Sequence, residues 1–261
     1  MAIVTISRGS ASGGLLLAQG LGKKLGYQVV SREEIIQEAA KFGVAEAKLR
    51  KALMDPPTFS EEFKQDRRRY LIFVQQALCE CAKNDNIIYL GNTGHLLLRG
   101  ISHVLRIRLS APSSFRIRML IEREKMTQEQ AAAYIEKVDA QRRAWTLLLY
   151  GVDWLNPDLY DLTINLENLD LGCAVQIAAL AAKCREFAAT NESQKAMNDL
   201  CLAASVKAAL AADPVTASAE VEMQADSASG TIFLGEKAWP EDLRDAVVER
   251  AKKVPLVNKV T

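Results

Sequence analysis

The stretch AIVTISRGSASGG, residues 2–14, decides how the rest of the chain is read. Ala2–Ser7 is a short apolar, β-branched run, the composition of a buried strand. It runs straight into a glycine- and serine-rich loop, and Leu15–Leu25 then follow with helical spacing. Gly9 and Gly14, with Gly13 between them, allow a loop whose backbone amides converge on an anion. The helix that follows adds a favourable dipole. The spacing matches the first six positions of the phosphate-cradling pattern G-x-x-x-x-G-K-[ST]. The last two positions differ. Leu15 stands where a lysine would reach the outer phosphates, and Leu16 where a hydroxyl would hold magnesium.

Outward from this loop, strand and helix patterns alternate. Strands are expected at 27–30, 87–90, 104–109 and 162–166. Helical patterns are expected from 31 (where Ser31 and Glu34 spell a capping box), over 61–83, 113–150 and 170–188, with a cap at Thr127–Gln130. Residues 45–60 read as irregular around Asp55-Pro56-Pro57. Such alternation implies an α/β fold in three layers, a mostly parallel sheet with helices on both faces. Ligands of such sheets sit beyond the carboxyl ends of the strands.

The polar stretch 189–198 reads as a linker. Beyond it a small α+β unit is expected, with a helix at 199–212, strands at 219–225 and 231–235, a helix at 239–254 and a short strand at 257–260. Its order is αββαβ. The expected organisation is therefore 1–188, a linker at 189–198, and 199–261.

Composition narrows the function. The chain has 261 residues, 49% hydrophobic and 25% charged, ordinary values for a globular protein. Its 33 basic and 32 acidic residues leave a net charge of +1, a poor footprint for nucleic-acid binding. Residues 1–190 carry 25 basic and 21 acidic side chains and residues 191–261 carry 8 and 11, so the first part suits an anionic ligand better. No apolar run reaches the length of a membrane span, and MAIVTISRGS lacks the features of a signal peptide, so a cytoplasmic protein is expected. Cys79, Cys81, Cys173, Cys184 and Cys201 lack metal-type spacing and read as buried, reduced thiols on helices. Two histidines, His95 and His103, make no histidine-rich site, and no protein metal ligand is expected.

Several arginines could serve an anion at the loop. Arg8 precedes it, Arg116, Arg118 and Arg123 follow the fourth strand, and Arg142 and Arg143 follow Asp139. Convergent guanidiniums are what phosphoryl transfer needs, because that chemistry is mostly positioning and neutralisation of charge.

Ile6-Ser7-Arg8 with Ser12-Gly13-Gly14, the Ile87–Gly91 strand, Arg116 with Glu122-Arg123, and Thr127–Ala131 resemble the cytidylate kinase-like family, relatives of the P-loop nucleoside monophosphate kinases. So do Val138-Asp139 with Arg142, Asp153-Trp154, and Tyr160–Asn165. The resemblance covers about residues 1–185. It implies a P-loop kinase-like fold with a mobile lid, and a nucleotide kinase moving the γ-phosphate of ATP, with Mg2+, to a nucleoside monophosphate or similar small acceptor. By it, Arg8, Gly9, Ser10, Ser12, Gly13 and Gly14 bind the nucleotide. Arg123, Asp139 and Arg142 belong to the catalytic lid, and Gly91 and Asn92 face the acceptor. The chain departs from the family at Ala11 and Leu15, where relatives carry glycine and a basic residue, at Asn92, where they carry arginine, and at Ser31, where they often carry aspartate. These departures imply an alternative, a catalytically impaired relative that binds nucleotide and acts through its tail. Residues 199–261 resemble a BON domain, on Val206–Leu210, Gly230–Gly235 and Val254–Val257. That resemblance implies a regulatory or interaction role with a protein or ligand partner.

Overall fold

The computed structural model describes residues 2–54, 61–235 and 239–261. Five strands form one parallel sheet, β1 (Ile3–Arg8), β2 (Gln28–Ser31), β3 (Ile87–Leu90), β4 (Val104–Ser110) and β5 (Leu162–Asn165), in the order β2-β3-β1-β4-β5. All four pairings are parallel. β1 is central, and the chain crosses from one side of it to the other between β3 and β4. That reversal opens a crevice at the carboxyl ends of β1, β3 and β4.

The period of two along β1 sorts its side chains by face. Val4 and Ile6 enter the main core with Leu105, Ile107 and Leu109 of β4, closed by Leu17, Ala18 and Leu21 of α1 (Gly14–Leu25) and Ala174, Ala178 and Ala179 of α8 (Leu171–Ala182). Thr5 and Ser7, both buried, take the opposite face. α5 (Gly94–Leu97) packs on β1, and its His95 meets Ser7.

Chain contacts gather Met1–Arg32, Met54–Pro57 and Asn84–Ala189 into one compact unit and Glu33–Leu53, Thr58–Lys83 and Thr190–Thr261 into another. The second unit thus takes in most of α2 (Arg32–Ala40) and α3 (Glu46–Met54), with α4 (Glu61–Ala82), because α4 packs along α9 (Asn191–Ala212). This differs from a division at 188. The stretch expected as a linker is helical from Asn191, opened by a reciprocal cap between Thr190 and Ser193. A polar stretch reads as a linker until its cap is recognised.

In the second unit β6 (Met223–Asp226) and β7 (Thr231–Leu234) pair antiparallel, and β8 (Lys259–Val260) joins β7 in parallel. Leu202, Val206 and Leu210 of α9 close a core with Ile232 and with Val247 and Ala251 of α10 (Glu241–Lys252). The order from α9 onward is αββαβ, with β6 four residues later than expected. Residues 46–54, expected as irregular, form α3; the neighbouring prolines masked a run of good helix formers. Residues 55–60, including Asp55-Pro56-Pro57, lie outside the described residues.

The pattern at 113–150 is two helices, α6 (Ser113–Glu124) and α7 (Gln128–Tyr150), with Lys125 in the left-handed conformation between them. The capping box at Thr127 and Gln130 opens α7 as expected. Cys79 and Cys201 are buried, whereas Cys173 and Cys184 are exposed, against expectation, and all five are free thiols. Among the described residues no helix is long and apolar enough to cross a membrane.

Candidate active site

The loop after β1 is built by short-range contacts. The Ser12 hydroxyl donates to the Gly9 carbonyl at 3.0 Å, tying the loop's two halves. Gly13 at φ 84 supplies the left-handed turn that starts α1, a conformation glycine adopts without a side-chain clash. Ala11 also sits in that region, at φ 56, where a side chain costs roughly 1–2 kcal/mol. Its methyl packs with Leu120, Ala131 and Ile135 of α6 and α7, which partly offsets that cost. Ala11 therefore joins the loop to the helical hairpin.

That hairpin reaches the loop with charge as well. Arg116 donates through Nε to the Ser10 carbonyl at 2.6 Å and through Nη2 to Asp139 at 2.5 Å. Asp139 accepts from the Ser10 backbone N–H at 3.0 Å. Arg142, one turn on, donates to the Arg8 carbonyl at 3.2 Å and lies 3.7 Å from Asp139. Burial pulls the Arg142 guanidinium below its ordinary value and the Asp139 carboxylate opposes this; it stays a cation at neutral pH. Gly9 lets the Arg116 guanidinium lie on the loop, since a Cβ there would stand 3.2 Å from its central carbon.

Arg8 completes the group. Its side chain crosses Gly14 and donates to the Asn92 side chain at 2.9 Å. Asn92 follows β3 in the turn 91–94, and its carbonyl accepts from the Ser7 hydroxyl at 3.1 Å. Gly91 and Gly94 flank the buried ring of Tyr89, and a Cβ at either would collide with it. The Ser7 oxygen also lies 3.2 Å from His95 Nδ1. Ser7 has one proton, given to Asn92, so the His95 Nδ1–H is the donor in that pair. His95 Nε2 is then an acceptor, buried and without a hydrogen-bond partner among the described residues. Burial, helped by the Arg106 charge, lowers His95 to about 4, so the ring is neutral near pH 7.

Of the residues singled out from sequence, Arg8, Gly9, Ser10, Ser12, Gly13, Gly14, Asn92, Asp139 and Arg142 meet here, with Gly91 beside them. Arg123 does not. It sits on the last turn of α6, 60% exposed, paired with Glu124 at 2.7 Å. Arg116 stands in the place expected for it. The two are seven residues apart on one stripe of the helix, but two turns separate them by roughly 10 Å, so only the earlier one meets the loop.

The block 153–165 works at a distance from the loop. Asp153 holds Arg143 at 2.6 Å. Trp154 lies under the Arg108 guanidinium, 5.5 Å from ring to carbon. Asp161 takes the backbone N–H and side chain of Arg106, fixing β5 to β4. The Tyr160 ring packs tilted against His95, with centroids 4.7 Å apart, and its hydroxyl donates to the Trp154 carbonyl. Of these contacts, the Asp153–Arg143 pair ties the block to α7, the helix that carries Asp139 and Arg142.

Leu15 and Leu16 are 50% and 46% exposed on the first turn of α1. They offer neither a cation nor a metal ligand. Among the described residues no group of three or more histidine, cysteine or acidic side chains could hold a metal ion. The loop therefore does not fit a magnesium ion held by its own side chains, and a magnesium here would have to be held by nucleotide phosphates and water. A cleft of about 1010 Å3 along α9 lies wholly in the second unit and includes no residue of the loop after β1, of α6 or of α7.

Residues 3–168 match the cytidylate kinase-like family. The chain belongs to that family. It is 28% identical over 164 residues to a cytidylate kinase of Thermococcus kodakarensis, covering 62% of this chain and 78% of that protein. It is 29% identical over 167 residues to a cytidylate kinase of Sulfolobus acidocaldarius, covering 64% and 86%. A crystal structure of an uncharacterized protein from Eubacterium ventriosum is similar in fold, with a TM-score of 0.54 and 17% identity, covering 70% of this chain and 99% of that one.

Proposed function

We propose that the chain is a nucleotide kinase that moves the γ-phosphoryl group of ATP to a nucleoside monophosphate, with CMP the first acceptor to test. The observation that carries this reading is the convergence of Arg8, Arg116 and Arg142 on the loop after β1. In the step, the bond from the γ-phosphorus to the bridging oxygen of ADP breaks, and a bond to an acceptor phosphate oxygen forms. Negative charge accumulates on oxygens in flight, and fixed guanidiniums in a site closed to water stabilise it. Asp139 holds Arg116 in place, stands beside Arg142 and takes the Ser10 amide, and the remaining loop amides hold the donor phosphates. Magnesium, carried by the nucleotide, would screen the phosphate charge.

A thermal-shift series tests this with ATP, GTP, CMP, CDP and dCMP, with and without magnesium. A ligand at 100 times its dissociation constant stabilises by about 2.7 kcal/mol. Shifts with ATP and with CMP are expected, and a flat response to every nucleotide would contradict the reading.

The exposed Leu15 and Leu16 favour a second reading, an impaired relative that binds nucleotide and signals through residues 199–261. On that reading, Leu15→Lys with Asn92→Arg raises turnover. On the first it changes turnover little or lowers it, because Arg8 already supplies a cation and loses its acceptor on Asn92. The αββαβ order supports a BON-like interaction module in the tail. Loss of a captured partner on deleting residues 199–261 would support it, and unchanged capture would count against it.

A further inference from the structure

Gly14 does not need to be glycine for its backbone, since its φ is not positive. What it does is make room. A Cβ at 14 would stand 2.8 Å from Arg8 Cδ, 2.9 Å from Cγ and 3.2 Å from Nε. The Arg8 side chain therefore runs over the first residue of α1, against the backbone where a phosphate loop meets its helix. Its far end is fixed on the Asn92 side chain at 2.9 Å, in the turn after β3, and its own carbonyl is held by Arg142. The guanidinium thus spans from the helix start to the turn after β3, while the side chain at 15, exposed beside it, is a leucine.

We propose that Arg8 does the work of the absent loop lysine. Its guanidinium bridges the donor's outer phosphates and the acceptor phosphate, and the oxygen of Asn92 keeps it in place when the site is empty. Resting on the kinase reading, this deepens it by assigning the cation that the loop lacks. A planar guanidinium can give parallel hydrogen bonds to oxygens of two phosphates, which a single ammonium does less well. The arrangement also gives Asn92 a role, because its side-chain oxygen accepts from the Arg8 guanidinium and an arginine has no acceptor to offer there.

A substitution cycle tests it on the intact chain, with Arg8→Ala, Leu15→Lys and the two together. Each is measured for kcat, for KM of ATP and of CMP, and by calorimetry for ATP affinity. Arg8→Ala is expected to lower kcat at least hundredfold and to weaken ATP binding about tenfold. Leu15→Lys alone should change either by less than threefold. The double variant should recover at least tenfold over Arg8→Ala, because the cation then comes from the helix side. Arg8→Ala within threefold of the parent, or no recovery in the double variant, would overturn the proposal. Arg8→Lys keeps the charge and guards against a folding defect, and it should lie between parent and Arg8→Ala. If the parent chain moves no phosphate, the calorimetric cycle still decides the role of Arg8, and only the kinase reading fails.

Discussion

The two halves of the loop after β1 differ sharply. The leading half, Arg8–Ser12, is covered by partners: Arg116 and Arg142 on its carbonyls, Asp139 on an amide, and Asn92 on the Arg8 side chain. The trailing half, Gly13–Leu16, ends in two exposed leucines. The positive charge that a bound phosphate would need stands at the end of the central strand and on the helical hairpin, and the first turn of α1 has none. Reading only the loop motif would class the site as defective. Including what packs on it shows where the cations are.

The largest effect that could break this comparison is at Arg142. Its replacement by alanine should cut kcat roughly 10²–10³-fold, about 3–4 kcal/mol of transition-state stabilisation, with little change in ATP affinity. Steady-state kinetics with calorimetry check this, and equal losses in both would place Arg142 in ground-state binding instead.

Next comes pH. His95 is neutral in the fold because burial holds it at about 4, against an ordinary 6.5. The unfolded chain binds that proton more readily, so stability is complete above about pH 6.5 and falls as pH drops towards 4, by about 3 kcal/mol in all. Denaturant unfolding between pH 4 and 7 should show this slope, and His95→Gln should flatten it. A slope unchanged in the variant would assign the acid sensitivity elsewhere.

Gly14→Ala sharpens the contrast between fold and site. Alanine is the better helix former by up to about 1 kcal/mol, which offsets part of the cost of pushing Arg8 aside, so the melting temperature should change little. The displaced Arg8 should cost about tenfold in kcat/KM. Activity equal to the parent would show that the Arg8 path over Gly14 is unimportant. The smallest effect is expected at Arg123→Ala, under twofold in every kinetic constant, since Arg123 faces solvent beside Glu124. A large loss there would mean that the hairpin swings further than this state shows.

Much of this was legible in the sequence, for reasons that also explain the rest. The strands stand out because both faces of a parallel sheet are covered, so Ile3–Ile6, Thr5 apart, and Ile87–Leu90 are apolar. The loop, Asp139, Arg142 and Asn92 were marked by the family resemblance. The choice between Arg116 and Arg123 was not, since residues seven apart share a helix stripe and only tertiary distance separates them. The Ser7–His95–Asn92 contacts had one faint signal, the hydroxyls of Thr5 and Ser7 at alternate positions of an otherwise apolar strand. Helix α3 and the start of α9 were hidden by prolines and polar side chains, which local composition reads as loop.

The most direct test of the central claim is to follow the labelled γ-phosphate of ATP in the presence of CMP and the intact chain. If the cations of the strand end and the hairpin serve transfer, the label appears in CDP and only when CMP is present. Label that stays in ATP, or appears only as inorganic phosphate, would contradict the account.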